Sequence, residues 1–167
     1  MKCLLMVAHP DDCIIFAWHY IMTHLDDQWH ICYLTYKETD PRGAEIKKFW
    51  QLHGIKTSFL GFTDDFNDIV TNNLSFDSAQ ARTLIENKCA EYDLILTHNE
   101  RGDYGHIHHS FVHECVPKEN KTIVCFGTAD VHNKTCTTHK QYDLNTLPLH
   151  REVIVGFGFR KTNYYIT

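Results

Sequence analysis

Three absences in this sequence narrow the range of functions before any motif is considered. The 167 residues contain no apolar run long enough to cross a membrane and no C-x-x-C pair among seven cysteines. They contain no stripe of basic residues, and 16 Lys and Arg against 21 Asp and Glu give a net charge of −5. These absences argue against a transmembrane protein, a disulfide scaffold and a nucleic-acid-binding protein.

The cysteines that are present indicate a reducing compartment. Their number is odd, and several lie in apolar runs such as WHICYLTY (29–36) and TIVCFG (122–127), as expected of buried thiols. The first apolar run stops at His9 and Pro10, which makes it too short for the apolar region of a signal peptide. We therefore expect a cytoplasmic protein with one domain over residues 1–167 and no transmembrane segment.

Strand-like and helix-like segments alternate along the chain. Apolar and β-branched runs predict strands, and apolar residues at helical spacing predict helices. The predicted strands are 2–8, 29–36, 56–62, 93–99 and 121–127, and the predicted helices are 11–26, 40–54, 75–92 and 106–116. This order predicts an α/β protein, a Rossmann-like three-layer sandwich with a mostly parallel central sheet. Residues 1–127 form its core, while 128–167 are less readable and carry a final predicted strand near 152–159.

Polar residues follow two of the predicted strands, at the edge where sheets of this kind concentrate their function. His9 and Asp12 follow the first strand, and His106 and His109 follow the fourth, with the same spacing of three. Because residues three apart on a helix share a face, two imidazoles and a carboxylate can surround one point. That is the ligand set of catalytic zinc hydrolases, in which a bound water becomes a nucleophile. Asp11 can then act as general base and His106 as the acid or the oxyanion stabiliser.

The same motifs resemble those of a known family. LLMVAHPDD (4–12) followed by THNERGDYGHIHH (97–109) resembles the PIG-L/LmbE-like zinc-dependent N-acetyl amino-sugar deacetylases, whose signatures are A-H-P-D-D-E and G-H-x-x-H. Between them, PRGAEIKKFWQLHGI (41–55) resembles the family's R-x-x-E helix, and SFLGFTD (58–64) resembles its strand ending in Leu-Gly-x-x-Asp. The resemblance covers residues 2–116 in the family's order.

The resemblance implies a role for each candidate residue. The implied zinc ligands are His9, Asp12 and His109. The implied catalytic residues are Asp11, the general base, and His106, which stabilises the tetrahedral intermediate or protonates the leaving amine. The implied contacts to the sugar or the reacting carbonyl are Arg42, Asp64 and Tyr104. Because Asp65 follows Asp64 directly, the position of this acidic residue is open by one.

We accordingly expect a metal-dependent hydrolase that removes the N-acetyl group from an N-acetylglucosamine-type sugar or glycoconjugate, through a zinc-bound water. Its substrate would be a small molecule or an oligosaccharide, and the aromatic content is compatible with a homo-oligomer. A nucleotide-binding module is disfavoured, because the first turn has acidic residues instead of G-x-G-x-x-G. The alternative is a zinc-binding family member with lost or redirected activity in a binding or regulatory role.

That alternative is kept because two positions depart from the family pattern. Cys13 replaces the Glu that usually closes the first motif, and Ile107-His108 replaces Pro-Asp in the second. We predict that Cys13 packs beneath the first loop and is not a ligand. We predict that His108 and His113 lie on a helix surface, and that His98 either simply ends its strand or supports a ligand.

Overall fold

The structure is a computed structural model that describes residues 1–127, 144–151, 153–154 and 164–166. Six strands form one sheet across these residues. They are β1 (Lys2–Val7), β2 (Gln28–Thr35), β3 (Lys56–Phe62), β4 (Leu94–Thr97), β5 (Thr122–Phe126) and β6 (Tyr164–Ile166). Their order is β3-β2-β1-β4-β5-β6; the first five are parallel, and β6 pairs antiparallel with β5.

Helices cover both faces of this sheet. The helices are a π-helical segment (Cys13–Ala17), α1 (Trp18–Thr23), α2 (Pro41–Leu52), α3 (Phe66–Thr71), α4 (Ser78–Ala90), α5 (Gly102–Gly105) and α6 (Ile107–Cys115). One apolar cluster joins the sheet to the π-helical segment, α1 and α2, and a second joins its other face to α4 and α6. The predicted three-layer α/β sandwich with a mostly parallel sheet is therefore confirmed.

β1 owes its central position to its composition. Five of its six residues are buried, and it hydrogen-bonds β2 on one side and β4 on the other. A strand buried on both faces reads as a continuous apolar run, and that pattern made it recognisable in the sequence. The segments that follow β1 and β4 therefore lie side by side at the carboxyl edge of the sheet.

Three parts of the structure differ from the sequence prediction. The first helix begins with a π-helical segment, Cys13–Ala17, and ends at Thr23, three residues before its predicted end. α3 lies between the predicted strand 56–62 and the predicted helix 75–92, where no element was predicted, and Asp65 caps it. In the predicted strand 152–159, the described residues 153 and 154 are helical, so that prediction is wrong there; its other residues lie outside the described ones.

The start of the third predicted helix also shifts. α4 begins at Ser78 and not at Ser75, because the carboxylate of Asp77 accepts the backbone N–H of Gln80 and caps the helix. Among the residues that the structure describes, no helix has both the length and the apolar character needed to cross a membrane. The single-domain assignment stays a prediction.

Candidate metal centre

The predicted ligands meet at the carboxyl edge of the sheet. His9 leaves β1 in the first loop, Asp12 precedes the π-helical segment, and His109 lies on α6, which follows β4. Nδ1 of His9 is 3.1 Å from Nε2 of His109 and 3.3 Å from Oδ2 of Asp12. Nε2 of His109 is 3.4 Å from Oδ1 of Asp12. All three side chains are buried, so three donors converge on one point that is shielded from water.

The outer nitrogens of both imidazoles already have partners. Nδ1 of His109 donates to Oδ2 of Asp103 at 2.9 Å, so its Nε2 lone pair faces the cluster. Nε2 of His9 lies 3.1 Å from Nδ1 of His108, so its Nδ1 faces the cluster. Two nitrogen lone pairs and a carboxylate that face one another require positive charge between them. This donor set fits a divalent cation with nitrogen and oxygen ligands.

The electrostatics of these residues point to the same requirement. Burial alone would lower the pKa of His9, but Asp12 and Asp64 outweigh it and raise that pKa to about 10. Burial lowers the pKa of His109 to about 4. Burial would raise the pKa of Asp12, but His109 and His9 bring it well below its usual range. The carboxylates around His9 therefore favour a positive charge at this point of the cluster.

Asp11 faces a second group of residues beside the cluster. Its Oδ1 accepts Nη2 of Arg42 at 3.1 Å, and Nη1 of Arg42 donates to the hydroxyl of Tyr36 at 2.9 Å. That hydroxyl donates in turn to Oδ2 of Asp64, whose Oδ1 lies 3.4 Å from Nε2 of His9. Burial raises the pKa of Asp11 above its usual value, and the charges of His9 and Arg42 oppose the rise. A carboxylate with a raised pKa is suited to general base catalysis.

A close backbone approach fixes Arg42 at the start of α2. A Cβ atom added to the neighbouring Gly43 would lie 2.0 Å from the carbonyl oxygen of Lys37, so no larger residue fits there without moving the chain. The loop before α2 and the helix itself therefore touch backbone to backbone. This contact places the Arg42 guanidinium over the Tyr36 ring, 5.1 Å from its centre.

His106 and Tyr104 line the other side of the cluster. The His106 ring stacks on His109 with centres 4.7 Å apart and lies 4.6 Å from His9. Nδ1 of His106 accepts the backbone N–H of His108 at 3.2 Å, and burial lowers the pKa of His106 to about 3. The ring is therefore neutral and carries its proton on Nε2. Tyr104 is 49% exposed, with its ring 5.2 Å from that of His109.

The structure thus brings all eight predicted site residues to one place. It also decides which of two adjacent acidic residues, Asp64 or Asp65, faces the cluster. Asp64 faces His9, while the adjacent Asp65 caps α3, so Asp64 is the acidic residue that belongs to the site. Cys13 lies beneath the first loop: its thiol donates to the carbonyl of Pro10 at 3.1 Å and accepts from Tyr33 and Trp50. The thiol is buried and directed away from the ligands, as predicted.

Sequence reasoning missed several residues that touch the site. His108 and His113 were predicted on a helix surface, and both are buried. The prediction was wrong because the acceptors for these rings come from distant elements: Asp68 of α3 for His108, and the carbonyl of His98 for His113.

Asp103 was missed although it lies inside the second motif. It has φ 64° and ψ −62°, a conformation that side chains rarely adopt, and its carboxylate lies between His98 and His109. A polar residue between two glycines of a turn, Gly102 and Gly105, was the only signal for it. Nε2 of His98 accepts the backbone N–H of Ala8 at 3.0 Å, so His98 supports the site and does not offer a free donor.

A further contact ties the C-terminal part of the chain to the site. Glu45, the acidic residue of the R-x-x-E sequence on α2, accepts the backbone N–H of Leu149 and a ring nitrogen of His150. His150 is fully buried. No local pattern around residue 150 announced this contact, which joins residues 105 positions apart.

The fold and this cluster define a Rossmann-like α/β protein with a His-Asp centre at the carboxyl edge of its sheet. Residues 4–118 match the protein family described as PIG-L, GlcNAc-PI de-N-acetylase. The chain belongs to this family. None of the curated proteins compared with it matches.

Solved structures share the fold at low sequence identity. A deacetylase of teicoplanin biosynthesis is 10% identical, with a TM-score of 0.60 over 94% of this chain and 84% of that one. The A40926 pseudoaglycone deacetylase is 12% identical, with a TM-score of 0.57 over 93% and 81%. GalB, the 4-carboxy-2-hydroxymuconate hydratase of Pseudomonas putida KT2440, is 14% identical, with a TM-score of 0.56 over 94% and 78%. Family membership supports a deacetylase, and the solved structures show the shared fold.

Proposed function

We propose that this protein is a zinc-dependent N-deacetylase acting on an N-acetylglucosamine-type sugar or glycoconjugate, with acetate and a free amine as products. The observation that carries the proposal is the convergence of His9, Asp12 and His109 beside Asp11 and His106. Membership of the PIG-L family supports the same reaction. The hydratase neighbour shares only the fold, which is compatible with more than one chemistry.

The donor geometry fits zinc. Ligands about 2 Å from a tetrahedral zinc ion lie about 3.3 Å from one another. Nδ1 of His9 and Nε2 of His109 are 3.1 Å apart, and they lie 3.3 and 3.4 Å from Oδ2 and Oδ1 of Asp12, respectively. We assign these residues as the ligands. When bound, zinc supplies Lewis acidity that makes water a usable nucleophile near neutral pH.

Asp11 is the group we assign as general base. Arg42 holds one of its carboxylate oxygens, and the other is left to take a proton from the attacking water. The new C–O bond forms as the carbonyl π electrons move onto oxygen, and the C–N bond then breaks. The proton that Asp11 received passes to the leaving nitrogen, so acetic acid and a neutral amine result without any co-reactant. Near neutral pH the acid proton is then lost and the amine takes up a proton, which gives acetate and an ammonium group.

His106 is the group we assign to the developing oxyanion. Its Nδ1 accepts a backbone N–H, so its Nε2–H is the donor it can offer to the substrate. A neutral donor aimed at the position where charge develops stabilises the transition state more than the ground state. The acid role that the sequence left open for His106 is therefore not the one we propose.

The substrate class is supported by the exposed groups around the cluster. Tyr104 presents an accessible aromatic face, on which a sugar ring can stack. Arg42 and Asp64 have side chains about a quarter exposed, so both can reach hydroxyl groups of a bound sugar. We assign these three residues to substrate binding.

The test combines metal analysis with amine release. Wild type and Asp11→Asn are purified, reconstituted with zinc, and assayed on N-acetylglucosamine and a chitobiose panel by fluorescent detection of the amine. We expect one zinc per chain in both proteins and loss of amine release of at least about 100-fold in the variant, since the base is removed without disturbing the ligands. Asp65→Asn, on the acidic residue that caps α3, is the matched control and should behave as wild type.

Each other outcome contradicts a stated part of the proposal. Failure of the wild type to bind zinc contradicts the ligand assignment. Zinc binding without amine release from any substrate in the panel contradicts the deacetylase assignment and favours the alternative of a zinc-binding protein with lost or redirected activity. Equal activity in wild type and Asp11→Asn contradicts the role of Asp11.

A further inference from the structure

The short helix α3 buries a side chain of an unexpected kind. Three of its six residues are apolar and exposed: Phe66 (73%), Ile69 (43%) and Val70 (68%). Its buried residue is Asp68, which is 2% exposed. Burying a carboxylate is costly unless it is paired, and an apolar residue would anchor a helix at lower cost. The arrangement therefore indicates that the carboxylate of Asp68 has a role beyond anchoring α3 to the rest of the protein.

Asp68 ends a chain of hydrogen bonds that begins at the metal centre. Nε2 of His108 donates to Oδ2 of Asp68 at 2.7 Å, and the Ser75 hydroxyl donates to the same oxygen at 3.1 Å. Because the His108 proton is on Nε2, its Nδ1 carries a lone pair. That lone pair accepts Nε2–H of His9 at 3.1 Å. Each of these N–H groups then has an acceptor, and Nδ1 of His9 is left facing Asp12 and His109. Oδ1 of Asp64 lies 3.4 Å from the same Nε2 of His9, farther away than Nδ1 of His108.

The surroundings hold the His108 ring in place. It is fully buried, Phe76 packs against it with ring centres 5.5 Å apart, and its own backbone N–H is bonded to His106. A His108 ring held in this way can in turn hold the ring of His9 in one orientation. A metal ligand whose second nitrogen is bonded to an ordered acceptor has a defined tautomer and orientation.

We propose that His108 and Asp68 are positioning residues that orient His9, with α3 contributing a carboxylate to the metal centre through an intervening imidazole. The inference rests on the proposed function, since it takes His9 to be a zinc ligand. In this chain the second motif has His108 where the related signature has an acidic residue. The structure assigns to the pair of side chains, His108 with Asp68, the support of the ligand from the first motif.

One competing interpretation uses the same atoms. Nε2 of His9, Nδ1 of His108 and Oδ1 of Asp64 also lie close together, at 3.1, 3.4 and 3.8 Å, so they resemble a second metal-binding group. That arrangement would require His9 to bridge two cations and lose the proton that links it to His108. The hydrogen-bonded chain satisfies the same atoms without a second ion.

Two variants of one residue separate positioning from simple packing. His108→Asn places an amide oxygen near the position of Nδ1, so it keeps an acceptor for His9 and gives up the bond to Asp68. His108→Gln places an amide nitrogen near the position of Nε2, so it keeps a donor for Asp68 and gives up the acceptor for His9. Zinc affinity is measured by competition with a chromogenic chelator, and the visible spectrum of the Co²⁺-loaded protein reports ligand orientation.

We expect His108→Gln to weaken zinc binding about 10- to 100-fold, since that is the usual effect of losing an outer partner of a metal-bound His. Its Co²⁺ spectrum should change, while the Tm of the metal-free protein stays near that of wild type. His108→Asn should keep the affinity within a few-fold and the spectrum, but lower the metal-free Tm. Asp65→Ala, which removes the cap of α3 without touching His108, is the control for loosening of that helix.

Three results would overturn the inference. His108→Gln with wild-type affinity would show that the acceptor for His9 does not matter. Equal losses of affinity in both His108 variants and in Asp65→Ala would show that affinity follows the stability of α3. A second zinc equivalent in wild type that is lost in His108→Gln would favour the second metal-binding group. Failure of the wild type to bind any zinc would refute the proposed function as well, and so differs from the first three.

Discussion

The two imidazoles that we propose as metal ligands are supported in different ways. His109 donates directly to Asp103, a residue six positions earlier in the same motif. His9 is linked to Asp68 through His108, across separations of 99 and 40 residues. Both ligands end at a buried carboxylate, but one arrangement is local and strained while the other joins three elements of the fold. The same chemical requirement is therefore met once by a turn and once by tertiary packing.

The largest loss of zinc affinity should come from a substitution of Asp103. Asp103→Asn keeps the size of the side chain and tolerates the positive φ, but it removes the charge that His109 and His98 face. We expect a loss of zinc affinity of about 100-fold, at the upper end of the range for an outer partner, because Asp103 contacts its ligand directly. Chelator competition measures it.

A double variant tests whether the support of His109 by Asp103 and the support of His9 by His108 are independent. In Asp103→Asn/His108→Gln, the fold-losses should multiply if each carboxylate acts on its own ligand, since separate sites add in free energy. If the double variant binds zinc as tightly as Asp103→Asn alone, only the support of His109 matters for zinc affinity. That result would contradict separate supports for the two imidazoles.

An effect on turnover without an effect on metal binding is expected at Arg42. Arg42→Met keeps a long helix-forming side chain and removes the guanidinium that holds Asp11 and Tyr36. We expect kcat on the chosen acetamido sugar to fall about 10- to 100-fold, because a mispositioned base is a poor one, with zinc affinity unchanged. Arg82→Met, which breaks the exposed pair with Glu114, is the control. Zinc affinity that falls with kcat would place Arg42 among the supports of the ligands.

The smallest expected effect is a change in the free energy of unfolding when Cys13, beneath the first loop, is substituted. Cys13→Ala would leave the donors of Tyr33 and Trp50 without their buried acceptor, at a cost of about 2 kcal/mol in the free energy of unfolding. Cys13→Ser, which keeps an acceptor, should recover most of it in urea denaturation. Cys89→Ala removes another buried thiol and should cost about 1 kcal/mol. Equal costs for Ala and Ser at position 13 would show that packing, and not the two donors, sets the stability there.

Local chemistry made much of the site predictable. β1 and β4 are apolar runs that end abruptly in His and Asp, and parallel strands deliver such ends to one edge of a sheet. The residues that we propose as ligands and as base, together with Arg42, were accordingly identifiable from motifs. Asp64 was identifiable only to within one position, because its neighbour is also Asp and the choice depends on which of them caps α3.

Apart from Asp103, the residues that sequence reasoning missed have partners on other elements of the fold. His108 reads as a surface residue of a short helix until Asp68 is placed against it, and His150 has no visible role until Glu45 accepts its ring nitrogen. α3 itself was not predicted because it has only six residues, and its three apolar residues, although they have helical spacing, are exposed and anchor nothing in the core. Its position depends on one buried carboxylate, which no periodicity reveals.

The sequence by itself determined the α/β class, the edge of the sheet at which the candidate site lies and the side chains that we propose as ligands there. Strand alternation and motif spacing are local properties, so they can be recognised in the sequence alone. Only the tertiary structure decided which nitrogen of His9 faces the centre. That choice depends on the acceptor behind its ring, and folding brings His108 and Asp68 there from positions 99 and 59 residues away.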